Sequence, residues 1–291
     1  CGLASVVTIC RNFQLSHGIG LDSNISHTRR GVGGCPCPFP LANVKGVNPE
    51  HYLMASYRLV WFQHLHKAAG TYVIRRAMAN GETFWPTHEN GNPVKEGEVI
   101  PLWKMEGNDL TAFIDECENS GVTFVACEWG GADFEILAND ERVTLLTCLR
   151  HPIKRLISNY NYDHYWMWTK ATSYAEYLNE GHLHSSSEYY TRIFARGKED
   201  LTIAKSNISL FDYVIIAEDG MSALDELGWS KESDTTHPTF GDKKRASILL
   251  LKLRWIRLFN YLKQRKYLPS TELQIEEKNK LDMDLYNSMR D

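Results

Sequence analysis

The sequence predicts an α/β fold, a central and mainly parallel β-sheet flanked by helices. Three observations predict it. Four short apolar runs, at 58–65, 122–127, 143–149 and 213–217, have strand length and lack polar alternation, as strands buried on both faces do. Helical stretches near 109–118, 152–165, 219–227, 241–265 and 272–290 lie between and after them. The residues of unusual chemistry follow the ends of the apolar runs, and ligands of such sheets sit beyond the carboxyl ends of the strands.

Bulk properties set the frame. The chain has 291 residues, 43% of them hydrophobic, enough for one substantial core. A net charge of −4 and a pI near 6.3 argue against a nucleic-acid partner, which needs a basic face. No apolar run is long enough for a transmembrane helix, which takes about 18 residues. The chain begins with Cys1, as a processed or truncated form would.

Residues 1–49 read differently from 50–291. Gly, Ser, Cys and Pro dominate, as in Gly33-Gly34-Cys35-Pro36-Cys37-Pro38, and no periodicity persists. This segment is expected to be an extension on the main domain. Its four cysteines (Cys1, Cys10, Cys35, Cys37) suit disulfides in a secretory setting, while Cys-Pro-Cys lacks the spacing of a zinc site. Cys117, Cys127 and Cys148 lie in apolar surroundings and read as buried thiols. Sequons at Asn24 and Asn207 fit a secretory route.

The first apolar run leads into His64-Leu65-His66-Lys67-Ala68-Ala69-Gly70-Thr71, followed by a helix over Thr71–Ala79. Small residues in this turn let backbone N–H groups approach an anion. The helix N-terminus adds partial positive charge and Lys67 a full one. It is no Walker A loop, because Lys67 precedes Gly70 instead of following it. Alternation along the strand puts His64 and His66 on the same side, opposite Leu65.

The third run leads into Leu149-Arg150-His151-Pro152-Ile153-Lys154-Arg155-Leu156-Ile157-Ser158-Asn159-Tyr160. Arg150 leaves the strand end and Pro152 suits a first helical turn. Arg155 and Ser158, three apart, share a helix face. Arginine holds a phosphate through two parallel hydrogen bonds, and serine supplies a short hydroxyl donor.

These two segments resemble the 5′-phosphosulfate loop and the 3′-phosphate loop of the sulfotransferases that use 3′-phosphoadenosine 5′-phosphosulfate (PAPS). The Golgi carbohydrate branch, of the heparan sulfate 2-O/6-O type, is the nearest. In the first loop His64, Lys67, Gly70 and Thr71 match, while Ala68 and Ala69 replace Thr and Gly. In the second Arg150, Pro152, Arg155, Ser158 and Tyr160 match, with His151 where Asp is usual. Phe211 to Glu218 and Asn279 to Tyr286 resemble the late core strand and the C-terminal helix of the family. The resemblance covers about residues 57–290.

It implies a P-loop-like fold, PAPS as donor with PAP as product, no metal, and a Golgi or secretory location, with a cytoplasmic one as the alternative. It also implies that Lys67, Ala68, Ala69, Gly70, Thr71, Arg150, Arg155 and Ser158 hold the nucleotide. Lys67 would act on the leaving phosphate, with His64 beside it. Related glycan sulfotransferases carry a His base after the second strand. Here Glu128 stands there, in Glu128-Trp129-Gly130-Gly131-Ala132-Asp133-Phe134. A carboxylate serves as base where burial raises its pKa toward neutrality. His88, Glu89 and Asp133 are the other candidates.

Tyr160, Tyr162, His164, Tyr165, Trp166 and Trp168 form an aromatic run suited to sugar rings or other flat acceptors. The expected acceptor contacts are Tyr162 and Trp166 of this run with His66, His88, Glu89, Trp129 and Asp133. Basic residues recur between Lys243 and Lys266 on a helical, partly apolar stretch. Three readings stay open on sequence: a carbohydrate O-sulfotransferase, a sulfotransferase of a small metabolite by O- or N-sulfation, and a nucleotide-binding protein without transfer activity.

Overall fold

Four parallel strands form the main sheet, in the spatial order Phe124–Cys127, Leu59–Gln63, Val143–Leu149 and Tyr213–Ile216. A computed structural model describes residues 57–232 except 167, 170, 172, 181 and 182. It further describes 247, 250, 251, 254–256, 258, 259 and 272–290. The extension 1–49 and most of the basic stretch 243–266 lie outside the described residues.

The main-sheet strands are β1 (Leu59–Gln63), β5 (Phe124–Cys127), β6 (Val143–Leu149) and β7 (Tyr213–Ile216). They match the four apolar runs, each within a few residues at its ends. Both faces are buried, which is why the runs show no alternation. Leu59, Trp61, Val125 and Leu145 pack on one side, with Leu110, Phe113 and Ile114 of helix α2 (Asn108–Asn119). Val60, Phe62, Phe124 and Leu146 pack on the other, with Val73, Ile74 and Ala77 of α1 (Gly70–Ala79). Cys117, Cys127 and Cys148 are free, buried thiols. Burial pushes Cys117 and Cys127 up to about 12.

A second, antiparallel sheet comprises β2 (His88–Glu89), β3 (Asn92–Lys95) and β4 (Glu98–Val99). Its two connections are two-residue turns with positive φ at both positions: Asn90 (51°) and Gly91 (84°), then Glu96 (56°) and Gly97 (82°). Such turns match the twist of a hairpin.

The remaining helices are α3 (Phe134–Ala138), α4 (Pro152–Trp166), α5 (Tyr174–Asn179), α6 (Tyr189–Phe194), α7 (Leu201–Ile208), α8 (Glu272–Lys278) and α9 (Lys280–Ser288). Two expectations need correction. The stretch 219–227 contains a 3-10 helix, Ser222–Leu227, closed by Gly228 at φ 81°. The stretch 272–290 is two helices, broken at Asn279, whose side chain accepts from the Glu188 N–H and donates to the Ile275 carbonyl. The sequon at Asn207 is also no surface site: the side chain is buried and its amide donates to the Phe194 carbonyl at 2.6 Å. Among the described residues, no helix is long and apolar enough to cross a membrane.

The topology fixes where a site forms. From β1 the chain crosses to β5 on one side; from β6 it crosses to β7 on the other. The carboxyl ends of β1 and β6 therefore flank a topological switch point. The two loop motifs start there.

Candidate active site

The first loop follows directly from β1. Lys67 (φ 66°) and Ala69 (φ 65°) both lie in the left-handed region. Side chains other than glycine adopt it at a cost of about 1–2 kcal/mol each. Such positions concentrate at ligand clamps. Ala69 is the N-cap of α1, and no side chain caps that helix. The first turn of α1, which includes the half-buried Thr71, carries no acidic residue. Gly70 has a separate reason to be glycine: a Cβ there would lie 1.8 Å from His64 Nε2. Ala68 is buried in the core beneath the turn.

The second loop lies beside the first. Gln63 of β1 pairs with Thr147 of β6, and Thr147 Oγ1 donates to the Gln63 carbonyl at 3.0 Å. Three residues on, Arg150 Nη1 donates to the Lys67 carbonyl at 3.4 Å. The Arg150 main chain exchanges hydrogen bonds with Tyr190: its N–H donates to the phenol oxygen at 3.3 Å, and the phenol donates to its carbonyl at 2.8 Å. The His151 N–H donates to the Glu218 carboxylate just past β7, and the Tyr286 hydroxyl donates there too. Burial holds the His151 imidazole below its ordinary value. Ser158 is half-buried on α4.

Arg155 sits differently from the expectation that it faces a ligand. It is 1% exposed. One guanidinium N–H donates to the His184 carbonyl at 2.9 Å, and the group stacks 4.4 Å from the centre of the Tyr189 ring. It supports the loop from inside.

Glu128 begins the loop after β5 and is buried, at 8% exposed. Its Oε2 lies 3.5 Å from His64 Nδ1. Asn92 of β3 holds it twice: the amide oxygen accepts from the Glu128 N–H at 3.0 Å, and the amide nitrogen donates to Oε2 at 3.4 Å. Gln63 fixes the same loop by donating to the Cys127 and Gly130 carbonyls, at 2.8 and 3.0 Å. His64 stacks on Phe62, with ring centres 5.3 Å apart. Burial lowers its pKa, Glu128 opposes that shift and Lys67 adds to it. His64 and Glu128 therefore meet at the end of β1.

His64 and His66 have separate surroundings, because the strand ends at Gln63 and alternation no longer applies. The His66 ring lies 4.4 Å from His184 and 5.7 Å from Tyr162. Burial above all, then His184 and Lys67, hold it well below the ordinary imidazole range. Trp129 stands 5.3 Å from His184, and Trp168 stands 5.3 Å from Tyr162. The five rings form one strip from Trp129 to Trp168, and both end indoles are exposed, at 40% and 42%. Lys67 Nζ lies 3.9 Å above the Tyr162 ring, so the strip passes the cradle lysine.

Three other candidates stand apart. The Asp133 carboxylate caps α3 and pairs with Arg196 at 3.1 Å, so it is already engaged. His88 packs on Phe84 and accepts from the Gly91 N–H; burial lowers its pKa. Glu89 is exposed and contributes only its carbonyl, to Asn92. The side chain of Trp166 lies outside the described residues.

Sequence reasoning missed Gln63, Asn92, His184, Tyr189 and Tyr190. Asn90-Gly91 is a hairpin signal that could have pointed to Asn92. The others act through contacts between distant segments. No family model matches this chain, and no curated protein matches it either.

Proposed function

We propose that this chain is a PAPS-dependent sulfotransferase on a P-loop-like fold, acting on an acceptor hydroxyl of a carbohydrate. The observation that carries the reading is the 3.4 Å hydrogen bond from Arg150 to the Lys67 carbonyl, which joins the two motifs at one end of the sheet. The residues fit an anionic nucleotide. The α1 N-terminus has no side-chain cap and no acidic first turn, and the Arg150 guanidinium reaches the Lys67 carbonyl just before it. PAPS would supply the activated sulfuryl group. The cradle from Lys67 to Thr71 would hold its 5′ end, and Arg150 with Ser158 its 3′-phosphate.

In-line transfer asks the protein for position, charge and one proton acceptor. Lys67 offsets negative charge on the phosphate side. Glu128 takes the proton of the attacking hydroxyl as the new S–O bond forms and the old one breaks. Asn92, hydrogen-bonded to its N–H and Oε2, orients Glu128, and His64 stands 3.5 Å from the same carboxylate. The exposed ends of the ring strip favour an acceptor with flat apolar faces, such as a sugar.

The test is transfer from labelled PAPS to a panel of glycans and phenolic or amine metabolites. Wild type is expected to sulfate a glycan, and Glu128→Gln to lose about 100-fold or more in kcat, the range for a lost general base. Transfer only to the metabolites would replace the carbohydrate reading. Near-normal turnover by Glu128→Gln would remove the proposed base.

A further inference from the structure

Tyr189 of α6 stands 5.7 Å from His184 of the strip, and no motif of the resemblance includes either tyrosine of that helix. Both are fully buried. Each uses its hydroxyl on the backbone of a different anion loop. The Tyr189 oxygen accepts from the His66 N–H at 3.2 Å. The Tyr190 hydroxyl brackets Arg150 by donating to its carbonyl and accepting from its N–H. Two adjacent residues of one short helix thus touch the main chain of both loops, which are 84 positions apart in sequence.

The helix is itself tightly fastened. The Asp282 carboxylate of α9 accepts from the Tyr190 N–H at 2.9 Å, the Thr191 N–H at 2.8 Å and the Thr191 hydroxyl at 2.9 Å. Glu188, just before α6, returns the contact: its carboxylate accepts from the Leu281 and Asp282 N–H groups at 3.2 and 2.9 Å. Each helix start is thereby capped by an acid of the other. The Arg155 guanidinium covers the ring faces, at 4.4 Å from Tyr189 and 5.7 Å from Tyr190. Five hydrogen bonds thus fasten the start of α6 to the start of α9.

We infer that Tyr189 and Tyr190 are positioning residues: a buried bracket, fastened to α9 by reciprocal Glu188–Asp282 caps, that sets the first anion loop against the second. A site that must grip both ends of one anion depends on the spacing of its two loops. Errors of about 1 Å in such spacing are costly. Fixed phenol-to-backbone bonds hold that spacing without adding charge. The inference deepens the proposed function in its appeal to a two-ended anion, but the bracket itself is a property of the fold.

The test uses Tyr189→Phe and Tyr190→Phe in the full chain, which keep the rings and remove only the hydroxyls. Two readouts are taken: amide hydrogen exchange by segment, and affinity for PAP. Tyr189→Phe is expected to speed exchange around His66, and Tyr190→Phe around Arg150, each by about tenfold, as loss of one backbone bond does. The strands β1 and β6 should keep their protection. PAP affinity should weaken by about tenfold in Tyr190→Phe. Unchanged exchange in both segments would overturn the inference, and so would exchange that rises evenly over the molecule. If the wild type binds no PAP, the proposed function fails, and the exchange data still decide the bracket.

Discussion

The turn after β1 and the turn after β6 leave the sheet one strand apart and each meets a tyrosine of α6, yet only the first carries left-handed torsions. The first is shaped from within. Lys67 and Ala69 carry left-handed torsions, and Gly70 is pressed against His64 so closely that no Cβ fits. The second has ordinary torsions and is fixed from outside, by Tyr190 on Arg150 and by Glu218 on the His151 N–H. A strained turn presents backbone N–H groups at a cost in stability. An externally braced turn leaves its arginine side chain available for a ligand. The pairing suits one loop that cradles a group and one that clamps a charge.

The comparison can be broken at Gly70 first. Gly70→Ala puts a methyl group 1.8 Å from His64 Nε2, and the buried ring has little room to withdraw. A loss of about 1–3 kcal/mol in denaturant unfolding is expected, as for other overpacked sites. A neutral result would mean that His64 moves freely and does not define the turn.

The next effect is one of pH. Burial holds His64 below the ordinary imidazole value of 6.5 and His66 well below it. Above pH 6.5 neither folded nor unfolded chain protonates these rings, so they leave stability unchanged. As pH falls below that value, the unfolded chain takes up protons that the folded chain refuses, and stability declines. Tm should therefore drop from pH 7 to about 5.5. His66→Gln should flatten the drop. A pH dependence that His66→Gln leaves unchanged would contradict the burial of this imidazole.

The smallest effect sharpens the comparison from the other direction. Ala69→Gly removes strain of about 1 kcal/mol but loosens the unfolded chain, so a net gain of about 0.5 kcal/mol is expected. A clear loss would show that the Ala69 methyl packs more than it strains.

Much of this arrangement is legible in the sequence. The runs at 59–63, 143–149 and 213–216 are buried on both faces, so continuous hydrophobicity marks them with little ambiguity. The two loops stand out in the sequence because small and basic residues follow the ends of apolar runs. The sheet β2–β4 was missed although Asn90-Gly91 announces its first turn, because strands of two to four residues carry no period. That Arg155 is covered by Tyr189 and His184 was not legible, because helix spacing gives a face but not what covers it. Tyr189 and Tyr190 were invisible because their partners lie on other segments. Asp282 stands in a stretch read as helix, but its role as a cap for α6 exists only in three dimensions.

The measurement that bears most directly on the central claim is thermal stability with PAP, against AMP and ATP, for wild type and Arg150→Ala. A ligand bound only by the native state at about 100 times its Kd adds about 2.7 kcal/mol. The account predicts a rise with PAP that exceeds those with AMP and ATP and largely disappears in Arg150→Ala. A rise that is larger with ATP, or that Arg150→Ala leaves intact, would contradict it.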